Sequence, residues 1–204
     1  MIKIVDYGLG NVLAFLNVYK RMNIPAGVAK MACDLEGASR VILPGVGAFD
    51  HAMELLQQSG MRETLDEMVL SRGVPVLGIC VGMQILSNTS EEGQLSGLSW
   101  IKGSVRKLKG PNEHKPLHLP HMGWNDVEPI KSSPLFAGLE TDARFYFLHS
   151  YHFDCDSRES ILAETDYGSR FVCAVHSRNV FGVQFHPEKS HQYGNRLLEN
   201  FAKV

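Results

Sequence analysis

Val-Pro-Val-Leu-Gly-Ile-Cys-Val-Gly, residues 74–82, is the stretch of sequence that decides the fold. Residues 74–79 form an apolar run, as expected of a central strand in a parallel sheet that is covered on both faces. Cys80 follows at once, and the chain is predicted to turn there directly into a helix that runs from Val81 to about Ser87. The segment therefore favours an α/β fold in which strands and helices alternate.

The same alternation continues toward the amino terminus. Short apolar runs at 2–5 and 40–43 predict two further strands. Between them, apolar residues spaced three and four apart predict a helix with one buried face, which stops before Pro25. Two more helices are predicted at 52–58 and 61–70. The apolar positions of the first helix are Val12, Phe15, Leu16, Tyr19 and Met22.

The carboxyl-terminal half contains several strand-like runs separated by turn residues. The segment 110–135 is rich in Pro, His and Gly, and we expect it to be an ordered loop. A last helix at 192–202 is expected to bury Leu197, Leu198 and Phe201. The pattern predicts one domain over residues 1–204, an open mixed α/β sheet flanked by helices. The strand-like runs are 100–108, 145–153, 161–164, 171–176 and 180–185.

The composition of the 204 residues excludes several classes of protein. The formal net charge is −2, whereas a nucleic-acid-binding protein normally carries a dense basic stripe. No run approaches the ~18 apolar residues that a membrane span requires. No signal peptide precedes the first strand, and the four cysteines are widely spaced. We therefore expect a cytoplasmic protein with reduced thiols.

Cys80 has the sequence surroundings of a nucleophile. A strand that turns sharply into a helix through Gly-x-Cys-x-Gly forms a nucleophile elbow, and the tight turn requires the glycines. N–H groups at the start of the helix would favour a thiolate, and the N–H of Val81 would point toward a developing oxyanion. The pattern alone also fits a buried structural cysteine. Cys33, Cys155 and Cys173 lack such glycines and are expected to be packing residues.

His186 and Glu188 are the candidate base and orienting acid for that nucleophile. They lie in His-Pro-Glu, directly after the strand-like run 180–185. In extended geometry, residues two apart leave the same face of the chain. Glu188 would then accept a hydrogen bond from one ring nitrogen while the other faces Cys80, as in a Cys-His-acid triad. The same residues also fit an incidental surface turn.

Val46 lies between two glycines in Pro44-Gly45-Val46-Gly47, again just after a predicted strand. Glycine adopts positive φ without penalty, so the Val46 peptide can reorient. Its N–H would supply a second oxyanion donor, a contribution commonly worth ~3–4 kcal/mol. An ordinary strand-to-helix turn is the alternative.

The residue spacing does not support a dinucleotide-binding site or a metal site. Gly8-Leu9-Gly10 opens a helix after a strand, but the third glycine of the dinucleotide fingerprint is absent, because that position is Leu13. Histidines three residues apart occur at 118 and 121 and at 149 and 152, in loop and strand, where this spacing does not align ligands. No metal site and no cofactor are expected.

The motifs GICVGMQ (78–84) and FHPEKS (185–190) resemble those of the class I glutamine amidotransferases. The chain is most similar to the branch that forms the glutaminase subunits of imidazole glycerol phosphate synthases. That narrower resemblance depends on four motifs that span the chain in order: DYGLGN (6–11), PGVGAF (44–49), HMGWN (121–125) and HPEKS (186–190). One small departure is Val81, where leucine is more usual.

The resemblance implies a role for individual residues. Cys80 matches the nucleophile, His186 the base and Glu188 the acid, while the Val46 peptide and the Val81 N–H match the oxyanion hole. A glutamine pocket is implied at Gly45, Gln84, His149, Ser150 and Tyr151. The face that meets a partner subunit is implied at Asn11, Met122, Trp124 and Lys189.

The resemblance also implies the reaction and the partner. Glutamine would be hydrolysed to glutamate and ammonia, and a (β/α)₈-barrel cyclase would use the ammonia in histidine biosynthesis. A glutaminase for another synthase, a cysteine hydrolase or peptidase with a similar elbow, and a non-catalytic interaction subunit are the alternatives.

Overall fold

The computed structural model describes residues 1–110 and 117–204, and a mixed sheet runs through the centre of the molecule. Its amino-terminal half contributes β1 (Ile2–Val5), α1 (Val12–Arg21), β2 (Ala26–Ala29), β3 (Arg40–Gly45), α2 (Phe49–Gln58), α3 (Arg62–Asp66), β4 (Val76–Cys80) and α4 (Val81–Gln84). The carboxyl-terminal half contributes β5 (Thr89–Ser90), β6 (Gly103–Lys107), β7 (His121–Asp126), β8 (Glu128–Pro129), β9 (Arg144–His149), β10 (Tyr151–Cys155), β11 (Ile161–Asp166), β12 (Arg170–Ser177), β13 (Val180–Val183) and α5 (His191–Phe201).

The sheet has a parallel part and an antiparallel part. The strand order is β2-β1-β3-β4-β13-β12-β10-β6-β5, and the first five strands are parallel. Neighbours pair antiparallel from β13 through β12 and β10 to β6. The predicted mixed α/β sheet is therefore confirmed. Because β3, β4 and β13 are parallel, the residues that follow them meet at one edge of the sheet.

The core lies on both faces of β4, every residue of which is buried. The predicted apolar face of α1 packs on one side, with Phe15 and Tyr19 almost fully buried. Helix α5 buries Leu197, Leu198 and Phe201, as predicted. Each fully buried large apolar side chain contributes about 1.5–3 kcal/mol relative to exposure, so this packing holds the sheet edge in place.

Helix α4 is shorter than the sequence predicts and ends at Gln84. The carbonyls of Ile85, Leu86 and Ser87 accept hydrogen bonds from the backbone of residues 98–101. These carbonyls are therefore unavailable to a continuing helix, and the chain turns away after one turn.

The expected loop at 110–135 contains the two strands β7 and β8, so that prediction is wrong for the described part of the segment. Residues 111–116 lie outside the described residues. Strand β7 pairs antiparallel with β9 in a separate two-stranded sheet. Its exposed face carries the apolar Met122 and Trp124, while the polar His121 and Asn125 point inward. A strand usually buries its apolar residues and exposes its polar ones. Strand β7 does the reverse, so the sequence pattern does not indicate it.

Two smaller differences concern strand limits. The predicted run 145–153 is two strands, β9 and β10, separated at Ser150. Strand β2 is not predicted from the sequence, because its four residues are too few and too small to form a distinct apolar run. None of the helices in the described part of the chain has the length and apolar character that crossing a membrane requires.

Candidate active site

Cys80 is held in a strained turn between β4 and α4. Its φ of 56° and ψ of −114° lie in a region that non-glycine residues rarely occupy, at a cost of about 1–3 kcal/mol. The turn fits only because the flanking positions lack a side chain. A Cβ on Gly82 would overlap the carbonyl oxygen of Leu43, and a Cβ on Gly78 would overlap the backbone of Gly82. The predicted elbow is present in the structure.

His186 is brought to the same sheet edge by β13. Its backbone N–H donates to the carbonyl of Tyr146 at 2.8 Å, and its carbonyl accepts from the hydroxyl of Ser190 at 2.6 Å. The ring Nδ1 lies 2.9 Å from Oε1 of Glu188, and the two side chains are 4% and 3% exposed. Glu188 reaches the ring from a single 3-10 turn, Pro187–Lys189, rather than from the extended chain that the sequence analysis assumed.

The imidazole of His186 is poised to hold a proton. Burial lowers its pKa, because a charged ring loses hydration. The adjacent side chains of Cys80 and Glu188 outweigh burial and raise the pKa of His186 to about 10. Because Nδ1 faces Glu188, Nε2 is the ring nitrogen available to the thiol. The arrangement is that of a nucleophile, a base and an orienting acid.

The segment after β3 contributes to the wall of the site, together with the first residue of α4. Val46, Gly47 and Val81 all line the cavity above Cys80. Val81 is the first residue of α4, so its N–H has no acceptor within the helix.

The two glycines beside Val46 have different roles, which corrects the argument made from the sequence. Gly47 has a φ of 91°, whereas Gly45 is not in the positive-φ region. A Cβ on Gly45 would lie 2.5 Å from the backbone nitrogen of Gly82. Gly45 therefore permits close packing of two backbones, and only Gly47 uses the conformational freedom of glycine.

A cavity of about 290 Å³ opens above Cys80. This volume is close to the lower end of ligand cavities, about 300 Å³, and fits a small ligand. Its walls include Gln84, His149, Ser150, Tyr151 and Lys189. Gly45, which the resemblance places in the glutamine pocket, is not a lining residue of this cavity.

The side-chain amide of Gln84 donates hydrogen bonds to two other residues of the chain. Its Nε2 donates to the carbonyl of Tyr151 at 3.1 Å and to Oε1 of Gln184 at 3.0 Å. Gln184 in turn donates through Nε2 to the sulfur of Cys80 at 3.7 Å. Gln184 is not predicted from the sequence, because a single glutamine in an apolar strand-like run gives no sign that it faces a cysteine.

Glu92 and Pro120 are two further lining residues that the sequence does not predict. The Oε2 atom of Glu92 accepts a hydrogen bond from the backbone N–H of Phe49 at 2.9 Å, which holds the carboxylate at the cavity. Both residues come from segments without a recognisable motif, so only the folded chain identifies them.

The residues implied to meet a partner lie outside the cavity, with the exception of Lys189. Asn11 caps α1 by accepting a hydrogen bond from the N–H of Ala14 at 3.2 Å. Met122 is 65% exposed, and the indole of Trp124 stacks on the ring of His191 with centroids 5.3 Å apart. The ammonium of Lys189 lies 5.6 Å from the centre of the Tyr146 ring.

Two other expectations concern cysteines and metals. Cys33 is exposed, so its assignment as a packing residue is wrong, whereas Cys173 is fully buried. Burial raises the pKa of the Cys155 thiol to about 12. Full burial also raises the pKa of the Cys173 thiol well above its ordinary value. Within residues 1–110 and 117–204, no group of three or more His, Cys, Asp or Glu is arranged to hold a metal ion.

Comparison with known proteins identifies the family. Residues 7–204 match the family described as glutamine amidotransferase class-I. The chain is 60% identical to the imidazole glycerol phosphate synthase subunit HisH of Bdellovibrio bacteriovorus and 48% identical to that of Leptospira interrogans, each over 204 residues and the full length of both chains. A crystal structure of a glutamine amidotransferase has the same fold, with a TM-score of 0.76 at 19% identity over 100% of this chain and 99% of the other. The chain therefore belongs to the class I glutamine amidotransferase family, in its branch of imidazole glycerol phosphate synthase HisH subunits.

Proposed function

We propose that this chain is the glutaminase subunit of an imidazole glycerol phosphate synthase and that Cys80, His186 and Glu188 are its catalytic triad. The observation that carries the proposal is the strained cysteine at the end of β4, in a cavity that is also lined by His186, whose ring is paired with the buried Glu188 at 2.9 Å. The family and the full-length HisH relatives support the choice of glutamine as substrate.

In the proposed reaction, Cys80 transfers its proton to Nε2 of His186 and attacks the side-chain amide carbon of glutamine. The carbonyl oxygen becomes an oxyanion, and His186 then gives its proton to the departing nitrogen, which leaves as ammonia. A thioester remains on Cys80. A water molecule then loses a proton to His186 and attacks the thioester carbon. The C–S bond breaks, glutamate is released, and His186 returns the proton to the sulfur of Cys80. Glu188 keeps the ring oriented and stabilises the imidazolium in both steps.

The oxyanion is proposed to bind the N–H groups of Val46 and Val81. The Val81 N–H is at the start of α4, and Val46 lines the same cavity. A donor of this kind is commonly worth about 3–4 kcal/mol of transition-state stabilisation.

The glutamine itself is proposed to lie against Gln84 and the 149–151 segment. The carboxylate of Glu92, held by the N–H of Phe49, is the negative charge in the cavity wall that suits the α-ammonium group of an amino acid. The amide of Gln84 is already engaged within the protein, so this residue shapes the pocket through Tyr151.

The ammonia is proposed to pass to a (β/α)₈-barrel cyclase that forms imidazole glycerol phosphate and an aminoimidazole carboxamide ribotide. Asn11, Met122, Trp124 and Lys189 form the proposed contact face. Met122 and Trp124 expose apolar area on β7, which is the kind of surface that a partner buries. We place the pair in the cytoplasm, where Cys80 stays reduced. Residues 1–204 are proposed to form one domain.

The test is glutamate release from glutamine by the purified chain, alone and with a barrel cyclase that carries its ribonucleotide ligand. We expect turnover to rise with the liganded partner and to vanish in Cys80→Ala. Cys33→Ala is the matched control, since Cys33 is exposed and lies outside the cavity. Turnover that survives Cys80→Ala would contradict the triad.

Two results would favour the alternatives. Cleavage of peptides or esters without glutamate release would indicate a cysteine hydrolase. Tight binding of the cyclase with no turnover in any mixture would indicate a non-catalytic subunit.

A further inference from the structure

Two buried histidines face each other beneath the substrate cavity. His121 on β7 and His149 on β9 are directly opposite in the register of the two-stranded sheet. Nδ1 of His121 lies 3.0 Å from Nε2 of His149, and the residues are 2% and 6% exposed. His149 is a wall of the cavity, whereas His121 does not line it.

The hydrogen bonds of the pair determine which nitrogen carries each proton. Nδ1 of His149 lies 2.8 Å from the carbonyl oxygen of Tyr151, which only accepts, so Nδ1 carries the proton. Nε2 of His149 must then accept, and Nδ1 of His121 must donate. Nε2 of His121 accepts from Nδ2 of Asn125 at 3.3 Å, and the same amide donates to the carbonyl of Asp166 at 2.7 Å.

Both rings are neutral at physiological pH, as this assignment requires. Burial lowers the pKa of His149 to about 3 and that of His121 to about 4. A second proton on His149 would sit on Nε2 and place two N–H groups against each other across 3.0 Å. A second proton on His121 would sit on its Nε2 and remove the acceptor that Asn125 uses. The chain of donors from Asn125 through His121 to His149 therefore runs in one direction.

The last hydrogen bond of this chain holds the cavity wall. The ring of His149 bridges to the carbonyl of Tyr151, two residues along, and so braces the turn between β9 and β10. At the start of the same turn, the carbonyl of Leu148 lies 3.9 Å from the sulfur of Cys80. If Nδ1 of His149 lost its proton, its lone pair would face the Tyr151 carbonyl, and the brace from His149 would be lost. The hydrogen bond from Nε2 of Gln84 at 3.1 Å would then be left to hold this carbonyl.

We infer that His121 is a positioning residue for the substrate cavity: its Nδ1–H keeps His149 in the single tautomer that braces the turn at 148–151. This inference rests on the proposed function, because the braced turn is the proposed wall for glutamine. His121 is also the neighbour of Met122 on β7. A displacement of the exposed face of this strand would therefore move the ring of His121 and, through its hydrogen bond, the ring of His149 in the cavity wall.

Two substitutions at residue 121 separate the hydrogen bond from the packing. His121→Asn keeps an amide N–H at the position of Nδ1 but loses the ring. His121→Phe keeps the ring, which stacks on Tyr167 and Phe147 with centroids 4.1 and 4.7 Å apart, but loses the donor. A purely structural role for the ring predicts greater damage in His121→Asn, and a positioning role through the proton predicts greater damage in His121→Phe.

The first measurement is the tautomer of His149, read from its ¹⁵N ring shifts by NMR on the full chain, with His149→Asn to assign the signals. We expect the Nδ1–H form in the unsubstituted protein and in His121→Asn, and a mixture of forms in His121→Phe. An Nε2–H form in the unsubstituted protein, or no change in His121→Phe, would overturn the inference. This readout does not depend on catalysis, so it stands whether or not the chain is a glutaminase.

The second measurement is the glutaminase kinetics of the complex with the liganded cyclase. Loss of one buried hydrogen-bond partner corresponds to roughly a tenfold change in the equilibrium constant, here that of glutamine binding. We therefore expect His121→Phe to raise KM for glutamine about tenfold and to change kcat far less. His121→Asn is expected to restore KM to near its original value. Equal KM values in the two variants would contradict the inference.

Discussion

The side-chain amide of Gln184 donates to the sulfur of Cys80 across 3.7 Å, although the two residues lie 104 positions apart in the chain. Gln184 is fully buried, and its own carbonyl oxygen accepts from Gln84 at 3.0 Å. The amide can therefore present only its N–H side to the cysteine. A fixed donor beside the sulfur stabilises negative charge that develops there.

Replacement of Gln184 by Met should test this donor, because the two side chains have similar length and flexibility. A hydrogen bond to a charged group contributes about 1.5–3 kcal/mol, so kcat/KM for glutamine should fall about 10- to 150-fold. Gln94→Met, at an exposed position, is the control and should leave kcat/KM unchanged. Unaltered kinetics in Gln184→Met would show that the amide is only a packing group.

Gly82→Ala should destabilise the elbow, since the added methyl group would overlap the carbonyl oxygen of Leu43. Overpacking of this kind typically costs about 1–3 kcal/mol in the free energy of unfolding. Gly27→Ala on β2 is the matched control, because a Cβ there first meets the flexible side chain of Met1 at 3.4 Å. The measurement is urea unfolding of both variants at pH 7, and equal midpoints would refute the role assigned to Gly82.

Acid should destabilise the folded protein through His121 and His149. Their pKa values fall from the ordinary histidine value of 6.5 to about 4 and about 3 on folding. Below pH 6.5 the unfolded chain therefore binds more protons than the folded chain, and the free energy of unfolding falls with pH until the folded values are reached. Each group contributes at most about 1.4 kcal/mol per pH unit in that window.

Urea unfolding at pH 7, 6 and 5 measures this slope. His121→Phe removes one of the two buried imidazoles and should make the slope shallower, whereas His51→Ala, at an exposed position on α2, should leave it unchanged. A slope that is identical in all three proteins would contradict the assignment.

Trp124→Ala should weaken the association with the cyclase and leave the unfolding midpoint nearly unchanged. The indole is 39% exposed and is already oriented by its stacking on His191, so little side-chain freedom would be lost on binding. Truncation of a well-placed interface tryptophan commonly costs about 2 kcal/mol or more, equivalent to a rise in Kd of roughly 30-fold.

Leu70→Ala is the control for this measurement, since Leu70 is 62% exposed and lies outside the proposed contact face. Calorimetric titration of the cyclase into each variant gives the two Kd values. Equal Kd values would remove β7 from the proposed contact face.

The sequence by itself determined the elements whose signal is local. Residues 74–82 predict the central strand and the turn at Cys80, because a tight turn with a buried backbone contact requires glycine at 78 and 82. The His-Pro-Glu turn identified His186 and Glu188, since both members of that pair lie within three residues. The alternation of strands and helices predicted the mixed sheet that the structure contains.

Only the tertiary structure decided which side chains complete the site. Gln184, Glu92 and the His121–His149 pair meet their partners through strand pairing and packing over long sequence separations, which no local pattern records. Strand β7 was hidden because its polar residues face inward, where other residues satisfy their hydrogen bonds, and its apolar residues face outward. Local patterns report the periodicity of burial, whereas the partner of each buried polar group is decided by how the strands come together.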